Sequence, residues 1–186
     1  MSLLRDPRHR YSYELRPDRV LDARLRAIAL ELESAGMIES GSATATRFQP
    51  HLTFLRTGTP VPDALDVAAV VLHGSGGDRV TLGEPATFAS GRIVHVSPED
   101  PSPIEAAREA MLTALDAADV DPVVAERAWV PHVSLSYSTL PGRTEEVLAH
   151  VRRVMPLDGG WGSLECWDLG VRPTVRLHRV ELPISG

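Results

Sequence analysis

The sequence predicts an α+β fold: one domain of two lobes, with two small, mostly antiparallel sheets, helices outside and a central cleft. The first observation is an internal repeat, in which residues about 11–55 recur as about 92–136 at a constant offset (132 − 51 = 81). The second is an irregular order of strand-like and helix-like segments, unlike a parallel βαβ array. The third is the lack of a linker-like stretch, so we expect residues 1–186 to form a single pseudo-two-fold domain.

The first repeat unit reads as strand, helix, strand. Residues 11–15 predict a strand, and residues 18–35 predict a helix with one apolar stripe that Gly36 ends. The residues of this stripe are Leu21, Leu25, Ile28 and Leu32. After a loop of small residues, residues 48–55 predict the second strand of the unit.

The rest of the chain continues to alternate helices and strands. Short helices are predicted at residues 64–72 and 144–155, and a longer one from residues 101–103 to about 118. The remaining strands are predicted at residues 80–89, 91–96, 129–138, 162–169 and 173–182. The strand at 129–138 is the counterpart of 48–55, so the second repeat unit also ends in a strand.

The two unit-ending strands carry the same short motif. Residues 50–54 read Pro-His-Leu-Thr-Phe, and residues 131–135 read Pro-His-Val-Ser-Leu. Because side chains alternate between the faces of a strand, His51 and Thr53 share one face, and so do His132 and Ser134. Apolar residues occupy the opposite face, as expected for a strand that lines a cleft on one side and a core on the other.

Two imidazoles and two hydroxyls in one cleft fit metal-free phosphodiester cleavage. In-line attack on a cyclic phosphate needs a base at the attacking water and an acid at the leaving oxygen, and histidine can fill either role near neutral pH. Hydroxyls can donate hydrogen bonds to the non-bridging oxygens, where charge builds up. The sequence therefore predicts four catalytic residues and leaves open which histidine is the acid. These residues are His51, Thr53, His132 and Ser134.

Other polar and aromatic residues carry weaker signals. Ser136 shares the face of His132, but a structural role is favoured. The aromatic residues that could stack on a base, each of which more often packs in a core, are Phe48, Trp129, Tyr137, Trp161 and Trp167. The arginines that could hold a phosphate, each of which more often lies at the surface, are Arg56, Arg92, Arg172 and Arg176. His95 aligns with Glu14 in the repeat, and the sequence assigns it no role.

The paired motifs, their spacing and the duplicated unit resemble the 2H phosphoesterase family, which includes bacterial proteins labelled 2′-5′ RNA ligase. The resemblance covers roughly residues 11–182. It implies a bilobal α+β fold, two histidines in a central cleft, and metal-free action on 2′,3′-cyclic phosphates or 2′-5′ linkages. His51, Thr53, His132 and Ser134 take the site positions in that resemblance, with Ser134 where threonine is commoner. The implied activity is hydrolysis of a 2′,3′-cyclic phosphate at an RNA end or on a nucleotide, without a cofactor or a metal.

Composition restricts partners and chemistry. All 19 Lys+Arg residues are arginine, so a lysyl-nucleotidylate intermediate and a P-loop lysine are impossible. The net charge of −6 argues against a duplex-DNA partner and favours a small nucleotide or an RNA end. Cys166 alone makes no internal disulfide, and neither a signal peptide nor a membrane span is evident. We expect a cytoplasmic monomer.

Three other functions remain open from the residues alone. The enzyme could act on 2′-5′ oligonucleotides, as a phosphodiesterase or in a ligase-like reverse reaction, or on a cyclic phosphate derived from ADP-ribose. A nucleotide- or RNA-end-binding module without turnover is a second alternative. A metal site on the two histidines is the weakest, because no carboxylate or cysteine accompanies either motif.

Overall fold

A computed structural model describes residues 7–44, 48–88, 90–123 and 129–183. After a short 3₁₀ turn at Pro7–His9, the strands are β1 (Tyr11–Pro17), β2 (Leu52–Thr57), β3 (Arg79–Thr87), β4 (Val94–Pro98), β5 (Val133–Ser136), β6 (Leu157–Asp168) and β7 (Val175–Glu181). The helices are α1 (Arg19–Ser34), α2 (Ala64–Gly74), α3 (Ser102–Ala117) and α4 (Thr144–Arg152). The predicted α+β class is confirmed.

Every strand pair in the described sheet is antiparallel. The strand order is β1-β2-β5-β4-β3-β6-β7, and β1 also pairs with β6. The pairings therefore run in a ring, from β1 through β2, β5, β4 and β3 to β6 and back to β1. The two predicted sheets are joined at two places: β2 meets β5 at one residue pair, and β6 spans both.

The two repeat units pair in the same register. Leu15 on β1 faces Leu52 on β2, and Val96 on β4 faces Val133 on β5. Each member of the second pair lies 81 positions after its counterpart (96 − 15 and 133 − 52). The strand–helix–strand units β1-α1-β2 and β4-α3-β5 thus place equivalent residues at equivalent points of the sheet.

The helices cover the sheet and enclose the core. Helix α1 contacts β5 and β6, α4 contacts β3 and β4, and α2 lies against α3, β6 and β7. The predicted stripe of α1 is buried. Its N-cap is Asp18, whose Oδ1 accepts a hydrogen bond of 2.7 Å from the Leu21 amide.

Both motif strands begin later than predicted. Strand β2 starts at Leu52 instead of residue 48, and β5 starts at Val133 instead of residue 129. The reason is that Pro50 and Pro131 have no amide hydrogen to donate to a ladder. Each histidine consequently stands just outside its strand, at the point where the chain enters the sheet.

Strand β6 begins five residues earlier than predicted, at Leu157 instead of residue 162. The predicted strand left out Gly159 and Gly160, but these glycines belong to it and let α1 approach the sheet. A Cβ on Gly159 would lie 2.7 Å from Leu21 Cβ, and one on Gly160 would lie 2.9 Å from Asp18 Oδ2. Only glycine permits this contact, which sequence periodicity does not reveal.

We expect Gly159→Ala to lower the free energy of unfolding by about 1–3 kcal/mol, because its methyl group would press against the helix. Urea denaturation followed by circular dichroism measures this. Gly74→Ala is the matched control, since nothing lies within 4 Å of a Cβ there. Equal effects of the two substitutions would show that close packing at Gly159 is not needed.

No helix in the described ranges is long and apolar enough to cross a membrane.

Candidate active site

The two motifs meet at their middle residues. Leu52 pairs with Val133 in the antiparallel sense, and both side chains are fully buried. In an antiparallel register through this pair, His51 lies across from Ser134, and Thr53 lies across from His132. These four side chains stand on the face opposite the core, so the histidines occupy one diagonal of a small quadrilateral and the hydroxyls occupy the other.

Both imidazoles are held by the same kind of backbone contact. His51 Nδ1 lies 2.7 Å from the carbonyl oxygen of Gln49, and His132 Nδ1 lies 2.8 Å from that of Val130. A carbonyl oxygen only accepts, so Nδ1 carries the hydrogen in each ring. The free atom of each neutral imidazole is therefore Nε2, which can take a proton from water or, once protonated, give one to a leaving oxygen.

A buried carboxylate lies near the Nε2 atom of His51. Glu14 Oε1 is 3.8 Å from His51 Nε2 and accepts a hydrogen bond of 2.9 Å from Ser12 Oγ. Arg16 Nη2 lies 2.6 Å from Glu14 Oε2. The Arg16 guanidinium also donates to the backbone oxygens of Gln49 and Pro50, at 3.5 and 3.4 Å. Arg16 thus links the carboxylate to the segment that carries His51.

A second imidazole lies behind His132. The ring centroids of His95 and His132 are 5.1 Å apart, and Phe88 lies 4.4 Å from the first ring and 4.9 Å from the second. Only 5% of His95 is exposed, and its Nδ1 has no hydrogen-bond partner. Burial, with a smaller contribution from His132, lowers the pKa of His95 to about 4. Burial also lowers the pKa of His132; the Val130 carbonyl opposes this shift and His51 adds to it.

Tyr137, the first residue after β5, reaches into the same cleft. Its phenol interacts with Ser134, and the charges that act on it belong to Glu14, Arg56 and Arg16. Although 55% of the residue is exposed, partial burial of the hydroxyl raises the pKa of Tyr137, with the Ser134 hydrogen bond opposing. The site thus contains a phenolic donor that stays protonated at neutral pH.

A family model for the 2′-5′ RNA ligase superfamily matches residues 17–169. The chain belongs to this superfamily. The match confirms the resemblance to the 2H phosphoesterases. Among proteins with curated descriptions, none is significantly similar in sequence.

Solved structures share the fold of this chain at low sequence identity. Escherichia coli LigT complexed with 3′-AMP matches with a TM-score of 0.55 and 13% identity, over 95% of this chain and 99% of that one. The protein TT0787 of Thermus thermophilus matches with a TM-score of 0.54 and 15% identity, over 93% and 97%. A structure described as a phosphoesterase gives 0.53 and 11%, over 95% and 99%. The bilobal 2H-type fold predicted from the motifs is confirmed.

Within this superfamily fold, most of the predicted stacking residues pack elsewhere. Phe48 and Trp161 are 3% and 2% exposed. Trp129 stacks on Phe54 at 6.4 Å and donates from Nε1 to the Thr53 carbonyl at 3.0 Å. Trp167 packs under Arg16, whose Cζ lies 5.2 Å from the centroid of its ring. Of the five aromatic candidates, Tyr137 is the one that interacts with the side chain of a predicted site residue, Ser134.

The predicted arginines and Ser136 also differ in where they lie relative to the site. Arg56 acts on the Tyr137 phenol in the cleft, whereas Arg92 pairs with Glu39 at 2.8 Å on the surface. Arg176 pairs with Glu165 at 2.9 Å, and Arg172 is exposed. Ser136 Oγ accepts a hydrogen bond of 3.1 Å from the Ser138 amide, which is a turn-stabilising role.

Sequence reasoning missed Glu14 and His95 as members of the site. The sequence shows that the two residues are 81 positions apart, whereas only the structure shows that each lies on a strand neighbouring a motif strand. The sheet register pairs Glu14 with Thr53 and His95 with Ser134. In the part of the chain that the structure describes, no group of three or more His, Cys, Asp or Glu side chains could hold a metal ion.

Proposed function

We propose that this protein is a phosphodiesterase that hydrolyses a 2′,3′-cyclic phosphate at an RNA end or on a nucleotide, with His51 and His132 as the acid–base pair. The observation that carries the proposal is the Leu52–Val133 pair, which puts both imidazoles on one face beside two hydroxyls. The backbone contacts at Nδ1 leave both Nε2 atoms for proton transfer. The superfamily supplies the reaction class, phosphodiester chemistry.

The reaction needs two proton transfers and no other reactant besides water. One histidine takes a proton from water while the water oxygen forms a bond to phosphorus. The bond from phosphorus to one ribose oxygen breaks, and the other histidine gives its proton to that oxygen. The product is a phosphomonoester beside a free hydroxyl, and one proton has passed from the acid to the leaving oxygen while the base has gained another.

Thr53 and Ser134 supply hydrogen bonds to the phosphate. Their hydroxyls occupy the second diagonal of the quadrilateral, between the imidazoles, and Ser134 is 5% exposed. Donors held in place at a partly dry site stabilise negative charge on the non-bridging oxygens more than water does. Tyr137 adds a third donor beside Ser134.

A nucleotide-sized substrate is supported by the relatives of known structure. Escherichia coli LigT has been crystallised with 3′-AMP, with ATP and with NADP⁺. A small nucleotide or an RNA end is therefore the substrate class to test first. The net charge of −6 argues against a duplex, whose binding depends on neutralising many phosphates.

The proposal predicts turnover of 2′,3′-cyclic nucleoside monophosphates in the presence of EDTA. Phosphorus NMR follows the conversion of the cyclic phosphate to a 2′- or 3′-monophosphate and identifies the broken bond. An RNA oligonucleotide with a 2′,3′-cyclic end and a 2′-5′-linked dinucleotide are assayed in parallel. Turnover of the 2′-5′-linked dinucleotide alone would show that the substrate is a 2′-5′ linkage and not a cyclic phosphate. Activity that EDTA abolishes would contradict the metal-free mechanism.

A further inference from the structure

The first motif strand carries a β-bulge directly after Thr53. The β1–β2 register passes from Thr53 to Leu55 and leaves Phe54 without a partner on β1. On its other side, β2 pairs with β5 only at Leu52. A bulge bends its strand and changes the direction of the side chains beside it. The direction of the Thr53 hydroxyl therefore depends on how this short stretch of backbone is held.

Two side chains from the second repeat unit hold this stretch. Trp129 Nε1 donates a hydrogen bond of 3.0 Å to the Thr53 carbonyl, and Arg108 Nε donates one of 3.1 Å to the Phe54 carbonyl. The guanidinium lies over the indole, with Arg108 Cζ 4.7 Å from the ring centroid. The indole in turn stacks on the Phe54 ring, with 14° between the two planes. Two adjacent carbonyls of β2 are thus bonded by two donors that also pack against each other.

These donors come from the segments that carry the other motif. Arg108 lies on α3, and Trp129 lies three residues before His132. Strands β2 and β5 share a single ladder pair. The contacts of Trp129 and Arg108 add to that pair, so they help to fix the position of Thr53 relative to the second motif.

The second motif strand has an equivalent bulge in different surroundings. The β4–β5 register leaves out Leu135, the counterpart of Phe54 (135 − 54 = 81). Phe48 takes the place of Trp129 (129 − 48 = 81), and a phenyl ring has no N–H to donate. A cavity of about 180 Å³ lies there, lined in part by Phe48 and Leu135. An indole donor is therefore not required for the bulge itself, and its presence at the first motif calls for another reason.

We propose that Trp129 and Arg108 are positioning residues, which hold the bulge of β2 so that the Thr53 hydroxyl stays directed at the substrate phosphate. This rests on the proposed function, in which Thr53 donates to the non-bridging oxygens. Both side chains act from the core side of β2, since the indole packs against the fully buried Phe54 ring. They therefore act through Thr53 and not on the phosphate. A displacement of a reacting or donor group by about 1 Å can cost about 10²-fold in rate.

Kinetics on the best cyclic nucleotide test this role. Trp129→Phe keeps a ring against Phe54 and removes the donor, so kcat should fall about 10- to 10²-fold while KM changes less than about threefold. In the Thr53→Val background the hydroxyl is already gone, and adding Trp129→Phe should lower kcat by less than about twofold. An equal loss in both backgrounds would mean that the indole acts through another group, and would overturn the proposal.

Trp161→Phe is the matched control. Trp161 lies on β6, is 2% exposed, and its Nε1 has no hydrogen-bond partner among the described residues. The substitution costs core packing without removing a hydrogen bond, so kcat should stay at the wild-type value. A loss of kcat as large as in Trp129→Phe would show that any weakening of the core slows the reaction, and would refute the positioning role.

Two substitutions of Arg108 test the second donor. Arg108→Lys keeps a positive charge and a donor, whereas Arg108→Met keeps only the aliphatic stem. The lysine variant should retain more of the wild-type kcat than the methionine variant does. Equal kcat values for the two would show that the hydrogen bond to the Phe54 carbonyl is not used.

NMR on the substrate-free protein separates this proposal from the proposed function. Three-bond couplings to the methyl carbon of Thr53, assigned with Thr53→Ser, report the side-chain rotamer. Wild type and Trp161→Phe should show a single rotamer, and Trp129→Phe and Arg108→Met should show averaging between rotamers.

The two proposals fail in different ways. If this NMR pattern is found but no cyclic phosphate is turned over, the phosphodiesterase proposal fails and the positioning of Thr53 stands. If turnover occurs but Thr53 keeps one rotamer in Trp129→Phe and in Arg108→Met, the positioning role alone is refuted. Should Trp129→Phe not fold, as circular dichroism would show, the two Arg108 variants decide.

Discussion

His51→Ala and His132→Ala should each lower kcat/KM for a 2′,3′-cyclic nucleotide roughly 10²- to 10⁴-fold, the usual contribution of a positioned acid or base. Each substitution removes the one Nε2 that serves its side of the phosphate, since both Nδ1 atoms are held by backbone carbonyls. The double variant should be less impaired than the product of the two single losses, because the two groups act in one concerted transfer. Initial rates with EDTA present measure this.

His178→Ala is the matched control for these variants. His178 lies on β7, and its Nε2 is 3.4 Å from Asp66 Oδ2 on α2, outside the cleft. The control should retain wild-type kcat/KM. A variant of His51 or His132 that folds and keeps full activity would remove that residue from the mechanism and leave the nucleotide-binding alternative.

The motif residues could be predicted because strand alternation is a local rule. Two positions after each histidine comes a hydroxyl, and the residues between and after are apolar, so one face had to be polar and the other buried. The structure places Leu52 and Val133 in the core in that way. Their direct pairing brings together equivalent positions of the two motifs (133 − 52 = 81).

The supporting residues could not be predicted because they depend on sheet register. Glu14 and His95 enter the site only through the β1–β2 and β4–β5 ladders, and both ladders contain irregularities next to these residues. A slip of one residue would turn either side chain to the opposite face. The repeat in the sequence shows that Glu14 and His95 correspond, but not that they lie beside the two motif histidines.

The full extent of β6 could not be predicted for a different reason. The predicted strand began at Gly162 and left out Gly159 and Gly160, whose role is to admit α1 against β6. The strand continues through them and joins the β3 side of the sheet to the β1 side. A close contact between two elements that are distant in sequence leaves no periodic pattern. Residue propensities therefore interrupt β6 at its glycines, although the strand continues through them.

The hydroxyls should have the next largest effect on turnover. Thr53→Val and Ser134→Ala should each lower kcat about 10²- to 10³-fold, the usual cost of removing a donor to developing negative charge, or about 2.7–4 kcal/mol. KM should change much less, because the charge on the non-bridging oxygens grows in the transition state. Steady-state kinetics on the best cyclic nucleotide separate the two constants.

Ser136→Ala and Thr53→Ser distinguish a catalytic hydroxyl from a structural one. Ser136 is on the same strand as Ser134 and is also buried, but its Oγ is engaged by the Ser138 amide. Its removal should therefore lower the unfolding free energy by about 1 kcal/mol and spare kcat. Thr53→Ser keeps the donor and should keep most of the activity. If Ser136→Ala impairs kcat as much as Ser134→Ala does, the negative charge on the phosphate is stabilised through Ser136 at the end of β5 and not through the motif hydroxyl of Ser134.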